Sequence, residues 1–94
     1  MESNIDEVVG FATKILQMLV DDPDAVKVDM STSEQGIELV AHVNPKDAAF
    51  VIGKSGSTIM SIRRLLRVLG SKHKAFIAFK LDEEHDNRRS VKAE

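Results

Sequence analysis

The sequence contains no cysteine, tryptophan or tyrosine, and only two prolines in 94 residues. Without cysteine the chain can form neither a disulfide framework nor a thiolate-ligated zinc site, and it has no cysteine nucleophile. No apolar run approaches the roughly 18 residues that a membrane span requires. The N-terminus also lacks the basic segment and apolar stretch of an export signal. We therefore expect a cytoplasmic protein with no membrane association.

What the chain does contain is enough apolar material for one folded unit. Its hydrophobic content is 43%, which is typical of a folded domain and argues against general disorder. A chain of this length forms one domain with a modest core more readily than two independent ones. We expect that single domain to span residues 1–82, and residues 83–94 to form a polar C-terminal tail.

The formal net charge of -2 conceals a segregation of charge along the chain. Residues 1–40 carry two lysines against nine acidic residues, whereas residues 46–80 carry eight basic residues against the single acid Asp47. A local positive field of this kind attracts polyanions while the molecule as a whole stays weakly acidic. On charge alone, a nucleic-acid surface and an uneven solvated surface both remain open.

Hydrophobic periodicity predicts the element order αββααβ. We expect helices over residues 4–20, 44–52 and 57–70, a turn over 31–36, and strands over 26–30, 37–43 and 75–81. The first two strands should form an antiparallel hairpin, and a right-handed crossover should place the third strand parallel to the second. The predicted class is α+β with two layers: a three-stranded mixed sheet carries helices on one face, and the other face is left open for a dimer contact.

The informative segment is the loop between the last two helices. Gly53 and Gly56 allow the chain to reverse tightly and bring bare backbone close to a ligand. The helix that begins at Ser57 presents free N–H groups and the positive end of its dipole, which favours a phosphate. Lys54 adds a cation and Ser55 a hydroxyl at the tip of this loop.

Two kinds of residue flank the loop. Ile52 and Ile59 are large apolar residues on either side, expected to anchor both helices and form the floor of a groove. Arg63, Arg64 and Arg67 share one arc of the following helix, where each could contact a polyanion or simply be solvated.

The segment Val51-Ile52-Gly53-Lys54-Ser55-Gly56, followed by Ile59, resembles the signature of the KH-domain family. In that family the GXXG loop clamps the backbone of about four single-stranded nucleotides. The element order is similar to the type II arrangement. With the Asp21-Asp22-Pro23-Asp24 turn, the resemblance extends over roughly residues 4–82 and is closest to the small stand-alone bacterial KH proteins of the KhpA type.

This resemblance implies a function and a set of site residues. It implies an RNA chaperone or post-transcriptional regulator that binds single-stranded RNA and influences cell elongation and division. It further implies a homodimer, or a heterodimer with a larger KH-containing RNA-binding protein. Ser57 stands where the family often has a basic residue, so we expect the arginines of the helix to compensate. The RNA-binding residues implied are Ile52, Gly53, Lys54, Ser55, Gly56, Ser57, Ile59, Arg63, Arg64 and Arg67.

Other kinds of site are excluded by spacing. A nucleotide-binding P-loop needs glycine at position 48, where the chain has alanine, and a strand before the loop rather than a helix. His42, His73 and His85 lie on three separate segments without metal-ligand spacing, and the 21–24 turn lacks the glycine and terminal glutamate of a calcium loop. No catalytic triad can be assigned. We therefore expect no enzyme activity, metal, cofactor or small-molecule substrate.

Two hypotheses follow from the sequence. The first is a single-stranded RNA clamp in which the loop holds phosphates and a groove beside the strand at 37–43 receives bases. The phenylalanines mostly suit the core, so base stacking should contribute little to binding. The alternative is a protein-interaction domain that works through dimerisation, or through a larger KH-containing partner, rather than through RNA.

Overall fold

The computed structural model describes residues 4–82, and the tail predicted at 83–94 lies outside the described residues. The helices are α1 (Asn4–Leu19), α2 (Ala48–Ile52) and α3 (Ser57–Lys72), and the strands are β1 (Lys27–Ser33), β2 (Gly36–His42) and β3 (Ile77–Leu81). Short 3-10 turns lie at Pro23–Ala25, Pro45–Asp47 and Lys54–Gly56. This order of elements confirms the predicted αββααβ arrangement.

The three strands form one mixed sheet in the order β1-β2-β3. β1 pairs antiparallel with β2, and β2 pairs parallel with β3. The predicted hairpin and parallel crossover are both confirmed. Because β2 lies between the other two strands, the outer edges of the sheet belong to β1 and β3.

The core lies between one face of the sheet and the helices. Leu39 and Ala41 of β2, with Ile77, Phe79 and Leu81 of β3, are buried on that face. The helices meet them with residues at helical spacing, because positions three and four apart lie on one side of a helix. These residues are Val8, Ala12 and Leu16 of α1 and Ile59, Ile62 and Leu66 of α3.

The opposite face of the sheet is polar. The imidazole of His42 lies between two carboxylates, with Nε2 2.8 Å from Asp29 Oδ2 and Nδ1 2.8 Å from Asp82 Oδ2. Lys80 Nζ lies 3.1 Å from Glu38 Oε2. The face that the sequence analysis left open for a dimer contact therefore carries charged and polar side chains, and the exposed ring of Phe76 lines a small pocket with Glu38 and Ala78.

The hairpin differs from its predicted form. β1 continues to Ser33, which pairs with Gly36, so the turn consists only of Glu34 and Gln35 instead of residues 31–36. The residues that extend the strand are Ser31, Thr32 and Ser33, all of them exposed. Polar residues on a solvated edge strand show no hydrophobic alternation, and the pattern therefore stops before the strand does.

The end of α3 was also predicted wrongly. The helix does not end at Gly70 but continues to Lys72, and Lys74 adopts a left-handed conformation with φ 60°. The Lys74 amide donates to Ser71 O at 3.0 Å and the Ala75 amide donates to Gly70 O at 2.8 Å, which is a Schellman cap with lysine in the usual glycine position. Ala75 belongs to this cap, so β3 starts later than residue 75.

Candidate nucleic-acid interface

The loop between α2 and α3 has a tightly reversed backbone. Gly53 has φ 78° and ψ 174°, Ser55 has φ 55°, and Gly56 has φ 78°. The Gly53 amide donates to Ala49 O at 2.9 Å and the Gly56 amide donates to Gly53 O at 3.1 Å. The amides of Lys54 and Ser55, between those two bonds, donate to no other backbone group within residues 4–82. They are therefore available to an external acceptor.

The two glycines have different surroundings. A Cβ atom placed on Gly53 would lie 2.6 Å from Thr58 Cβ and 2.8 Å from Thr58 N, closer than real side chains approach. A Cβ atom on Gly56 would meet no atom within 4 Å. Gly53 thus allows the loop to pack against the start of α3, whereas Gly56 leaves its side of the loop open to a ligand.

The side chains around the loop divide into exposed polar groups and apolar anchors. Lys54, Ser55 and Ser57 are exposed. Ile52 is half-buried against the core, and Ile59 is buried within it with 7% exposure. The two isoleucines therefore fix the helices on either side, while the polar groups and the N-terminus of α3 face solvent.

A groove runs between α3 and the free edge of β3. It has a volume of about 340 Å³ and is lined by Arg63, Arg67 and residues 76–80. The Arg63 Nε–H donates to the carbonyl oxygen of Phe79 at 3.0 Å, which holds its guanidinium against the strand. The sequence predicted a groove beside residues 37–43. That location stays a prediction, whereas the groove lined by Arg63 and Arg67 lies along β3, because β2 is the central strand, paired on both sides.

The three predicted arginines are not equivalent. Arg63 and Arg67 line the groove, whereas Arg64, which is exposed, does not. Helical spacing alone does not make this division, because Arg67 lies four residues from Arg63 and three residues from Arg64. The shared arc of the three arginines on the helical wheel therefore did not predict that Arg63 and Arg67 line the groove and Arg64 does not.

The aromatic residues also depart from expectation. Phe79 is buried, but Phe76 is 51% exposed and lines the groove. Phe11 and Phe50 are also exposed. An exposed ring in a basic groove can stack on a base, so the expectation that the phenylalanines mostly belong to the core is wrong.

The loop and the groove lie along one path. Gly70 packs near Ile77 and Arg63 bonds to Phe79, so α3 and β3 run in opposite directions. From Arg63 to Ser57 the helix rises about 9 Å, and from Phe79 three residues of strand rise about 10 Å. Measured along the α3 axis from the Arg63–Phe79 bond, the start of α3 and the end of β3 therefore lie at about the same height, and the loop lies beside them.

Sequence reasoning missed the role of Asp47. This residue is only 1% exposed, and its Oδ2 accepts a hydrogen bond from the Asp22 amide at 3.1 Å. Asn44 Nδ2 donates to Asp22 Oδ2 at 3.2 Å. These bonds tie the turn after α1 to the segment that begins α2, and so fix the helix that leads into the loop. The one feature of the sequence that could have indicated this role is that Asp47 is the single acidic residue within the basic stretch 46–80.

Residues 4–82 show neither a membrane helix nor a metal cluster. None of their helices is long and apolar enough to cross a membrane. No three of their histidine, aspartate or glutamate side chains are placed to hold a metal ion.

A mixed three-stranded sheet in αββααβ order, with a glycine-bounded loop between two helices, defines a KH-type domain. Comparison with known proteins gives the particular family. The sequence profile described as "KhpA/KhpB, KH domain" matches residues 10–81, which is more than half of the chain. The chain therefore belongs to the KhpA/KhpB KH-domain family.

Curated relatives carry the name "RNA-binding protein KhpA". The relative from Mycobacterium bovis is 37% identical over 65 residues, which cover 69% of this chain and 81% of the relative. The relative from Leifsonia xyli is 40% identical over 57 residues, covering 61% and 75%. The relative from Clostridium acetobutylicum is 41% identical over 58 residues, covering 62% and 77%.

Proposed function

We propose that this chain is a non-catalytic module that binds single-stranded RNA. The Gly53–Gly56 loop would hold the phosphate backbone, and the groove between α3 and β3 would receive the bases. Within the family this fits an RNA chaperone or post-transcriptional regulator of the cytoplasm, including the link to cell elongation and division that the resemblance implies.

The observation that carries the proposal is the continuity of the loop with the arginine groove. The free amides of Lys54 and Ser55, the ammonium of Lys54 and the start of α3 all present positive charge at one place. From there the path leads to Arg63, Arg67 and the exposed ring of Phe76. Phosphate contacts would give the affinity, and stacking on Phe76 would retain a base.

Two further features agree with this proposal. Relatives of this chain are named RNA-binding proteins. The groove borders the outer edge of β3, which pairs with no other strand of residues 4–82, and the Phe79 carbonyl on that edge accepts from Arg63. We therefore include Gly53, Gly56 and Ser57 as backbone contacts and assign Ile52 and Ile59 a supporting role beneath them.

The test is a pair of charge reversals on one helix. Arg67→Glu, which places a carboxylate in the groove, should weaken binding of a short oligouridine about tenfold at low salt. Arg64→Glu makes the same change in net charge outside the groove and should weaken binding about twofold at most. Fluorescence anisotropy measures both affinities. Equal losses would show that only the overall charge matters and would contradict the groove.

A second observation favours pairing with another KH domain. Four exposed apolar side chains lie on α1 and α3, which pack beside one another: Phe11, Met18, Leu65 and Val68, with exposures of 38%, 75%, 49% and 62%. Burial of such side chains is the usual source of association energy. We propose this helical surface for a homodimer or for a larger KH-containing partner.

Sedimentation of Leu65→Glu tests the pairing surface against Met30→Glu, which removes an exposed apolar residue from β1 instead. The Leu65 variant should sediment as a smaller species than the parent chain. The Met30 variant should sediment like the parent. If the Leu65 variant leaves the mass unchanged while the parent is a dimer, the interface lies elsewhere.

A further inference from the structure

A second, smaller cavity adjoins the arginine groove at the start of β3. It has a volume of about 130 Å³. Phe76 and Ala78 form walls of both cavities. The remaining walls come from the hairpin and the start of β2, with Ser33 and residues 35–38. An RNA strand that leaves the groove past the exposed ring of Phe76 therefore reaches this second cavity next.

The backbone around the second cavity is held in place. The Ile37 amide donates to the Phe76 carbonyl oxygen at 2.8 Å, which joins the start of β2 to the residue before β3. Gly36 has φ 141°, and a Cβ atom there would collide with the Phe76 carbonyl oxygen. Glycine allows this close approach of the two backbones. The ring of Phe76, which is 51% exposed, thus stands on a fixed backbone and is open to stacking with a base.

The second cavity contains a carboxylate, whereas the groove contains guanidinium groups. Glu38 lines the cavity, and within residues 4–82 the only polar contact of its side chain is that of Oε2 with Lys80 Nζ at 3.1 Å. A carboxylate has about four acceptor positions on its two oxygens and no donor, so most of these positions stay open to a ligand. A phosphate is also negative and an acceptor, and is therefore disfavoured there. A group with N–H donors is favoured.

Guanine is the base whose edge best matches a carboxylate. Its N1–H and N2 amino groups are neighbouring donors that can bond to the two oxygens of one carboxylate. Uracil has the single donor N3–H, between two carbonyl oxygens that a carboxylate repels. Cytosine and adenine each present one amino group. Gln35 also lines the second cavity, and its side-chain amide can donate to the O6 carbonyl that only guanine has beside its two donors.

We propose that the second cavity binds a guanine base of the bound RNA, with Glu38 accepting from its N1–H and N2 amino groups and Phe76 stacking on its ring. This inference rests on the proposed function, which brings RNA into the neighbouring groove. From Phe76 to Leu81, at the end of β3 near the loop, five residues of strand rise about 17 Å. The guanine therefore belongs to a nucleotide beyond those that the loop holds.

Octamers of uridine that carry one guanosine, each at a different position, test this proposal by fluorescence anisotropy. The parent chain should bind at least one of them about tenfold more tightly than octauridine, the gain expected from one bidentate contact. Glu38→Gln puts an N–H donor in place of one carboxylate oxygen and should reduce the preference to about twofold or less. Equal affinities of the parent chain for all octamers would overturn the proposal, and so would a preference that persists in Glu38→Gln.

Two matched controls separate the proposed contact from general effects of charge. Glu34→Gln makes the same change in net charge at an exposed residue of the hairpin turn that does not line the second cavity. Lys80→Gln removes the ion pair and leaves the Glu38 carboxylate in place. Both variants should keep the preference for guanosine, although Lys80→Gln should weaken binding of every octamer. Loss of the preference in either control would overturn the role assigned to Glu38.

A nucleoside without phosphate tests the second cavity separately from RNA binding. Guanosine at about 1 mM, where weak contacts are detectable, should shift the amide signals of residues 36–38 and Phe76. Uridine should shift them less, and Glu38→Gln should abolish the difference. If no octamer binds, the proposed function fails, and the guanosine titration still decides whether this cavity binds the base. If the octamers bind equally and guanosine shifts nothing, the proposed function stands and the guanine site is refuted.

Discussion

At the scale of single residues, Gly53 and Gly56 have the same positive φ but different structural roles. Gly53 combines that φ with ψ 174°, a region that essentially only glycine adopts, and it packs against Thr58. Gly56 has ψ 11° and open space beside it. The GXXG pattern therefore contains one glycine required by packing and one that keeps the ligand side open.

This difference predicts unequal costs for alanine. Gly53→Ala adds a collision with Thr58 to the backbone strain and should lower the free energy of unfolding by about 3 kcal/mol. Gly56→Ala adds strain alone and should cost about 1 kcal/mol. Urea denaturation measures both values. If the two variants prove equally stable, the packing assigned to Gly53 is incorrect.

Asp47 is a single residue that stabilises the fold through a hydrogen bond to the turn after α1. Its buried carboxylate accepts the Asp22 amide, and Asp47→Ala would leave that donor without a protein partner. We expect a loss of about 2 kcal/mol in the free energy of unfolding. Asp47→Asn retains an acceptor oxygen and should lose less. Thermal denaturation of the two variants would contradict this account if alanine proved the milder change.

At the scale of elements, the sequence correctly predicted the helices and strands that bury one face in the core. The amphipathic spacing of α1 and α3 and the apolar strands at 37–43 and 75–81 identify the elements, because each faces the core. The errors occur where the hydrophobic pattern carries no information, at exposed polar residues and at a buried glycine. The polar residues Ser31–Ser33 extend β1 along a solvated edge, and α3 passes through Gly70 because tertiary contact with Ala75 and Ile77 requires a small residue there.

The cap of α3 predicts a stabilising substitution. Lys74 adopts φ 60°, where a side chain costs about 1 kcal/mol and glycine costs little. Lys74→Gly should therefore raise the free energy of unfolding by about 1 kcal/mol in urea denaturation. Lys72→Gly, within the last turn of α3, should lower it by a similar amount. A destabilised Lys74 variant would contradict the assigned cap.

The candidate site could be predicted from the sequence only in part. The loop is local in sequence, so its glycines and Lys54 could be recognised from their spacing. The groove requires knowledge of which strand lies at the edge and which side of α3 faces it, and that information is tertiary. Arg63 and Arg67 could thus be named from the sequence but could not be separated from Arg64.

At the scale of the whole molecule, most of the acidic residues and the basic candidate site belong to different parts of the sequence. The negative residues concentrate in residues 1–40, while the loop and groove fall within the basic stretch 46–80. A clamp on about three or four phosphates predicts that log affinity falls with log salt at a slope of about −2 to −3. Binding measured over a range of salt concentrations checks this, and a slope near zero would rule out the phosphate clamp.

The central claim is that the loop and the α3–β3 groove together form one RNA-binding surface. Amide chemical shifts recorded during titration with a short oligouridine test it most directly, because they report each residue separately. We predict the largest shifts at residues 53–57 and 76–80, with little change at Asp29 or His42 on the polar sheet face. Shifts concentrated on that sheet face, or absent from the loop, would contradict the account.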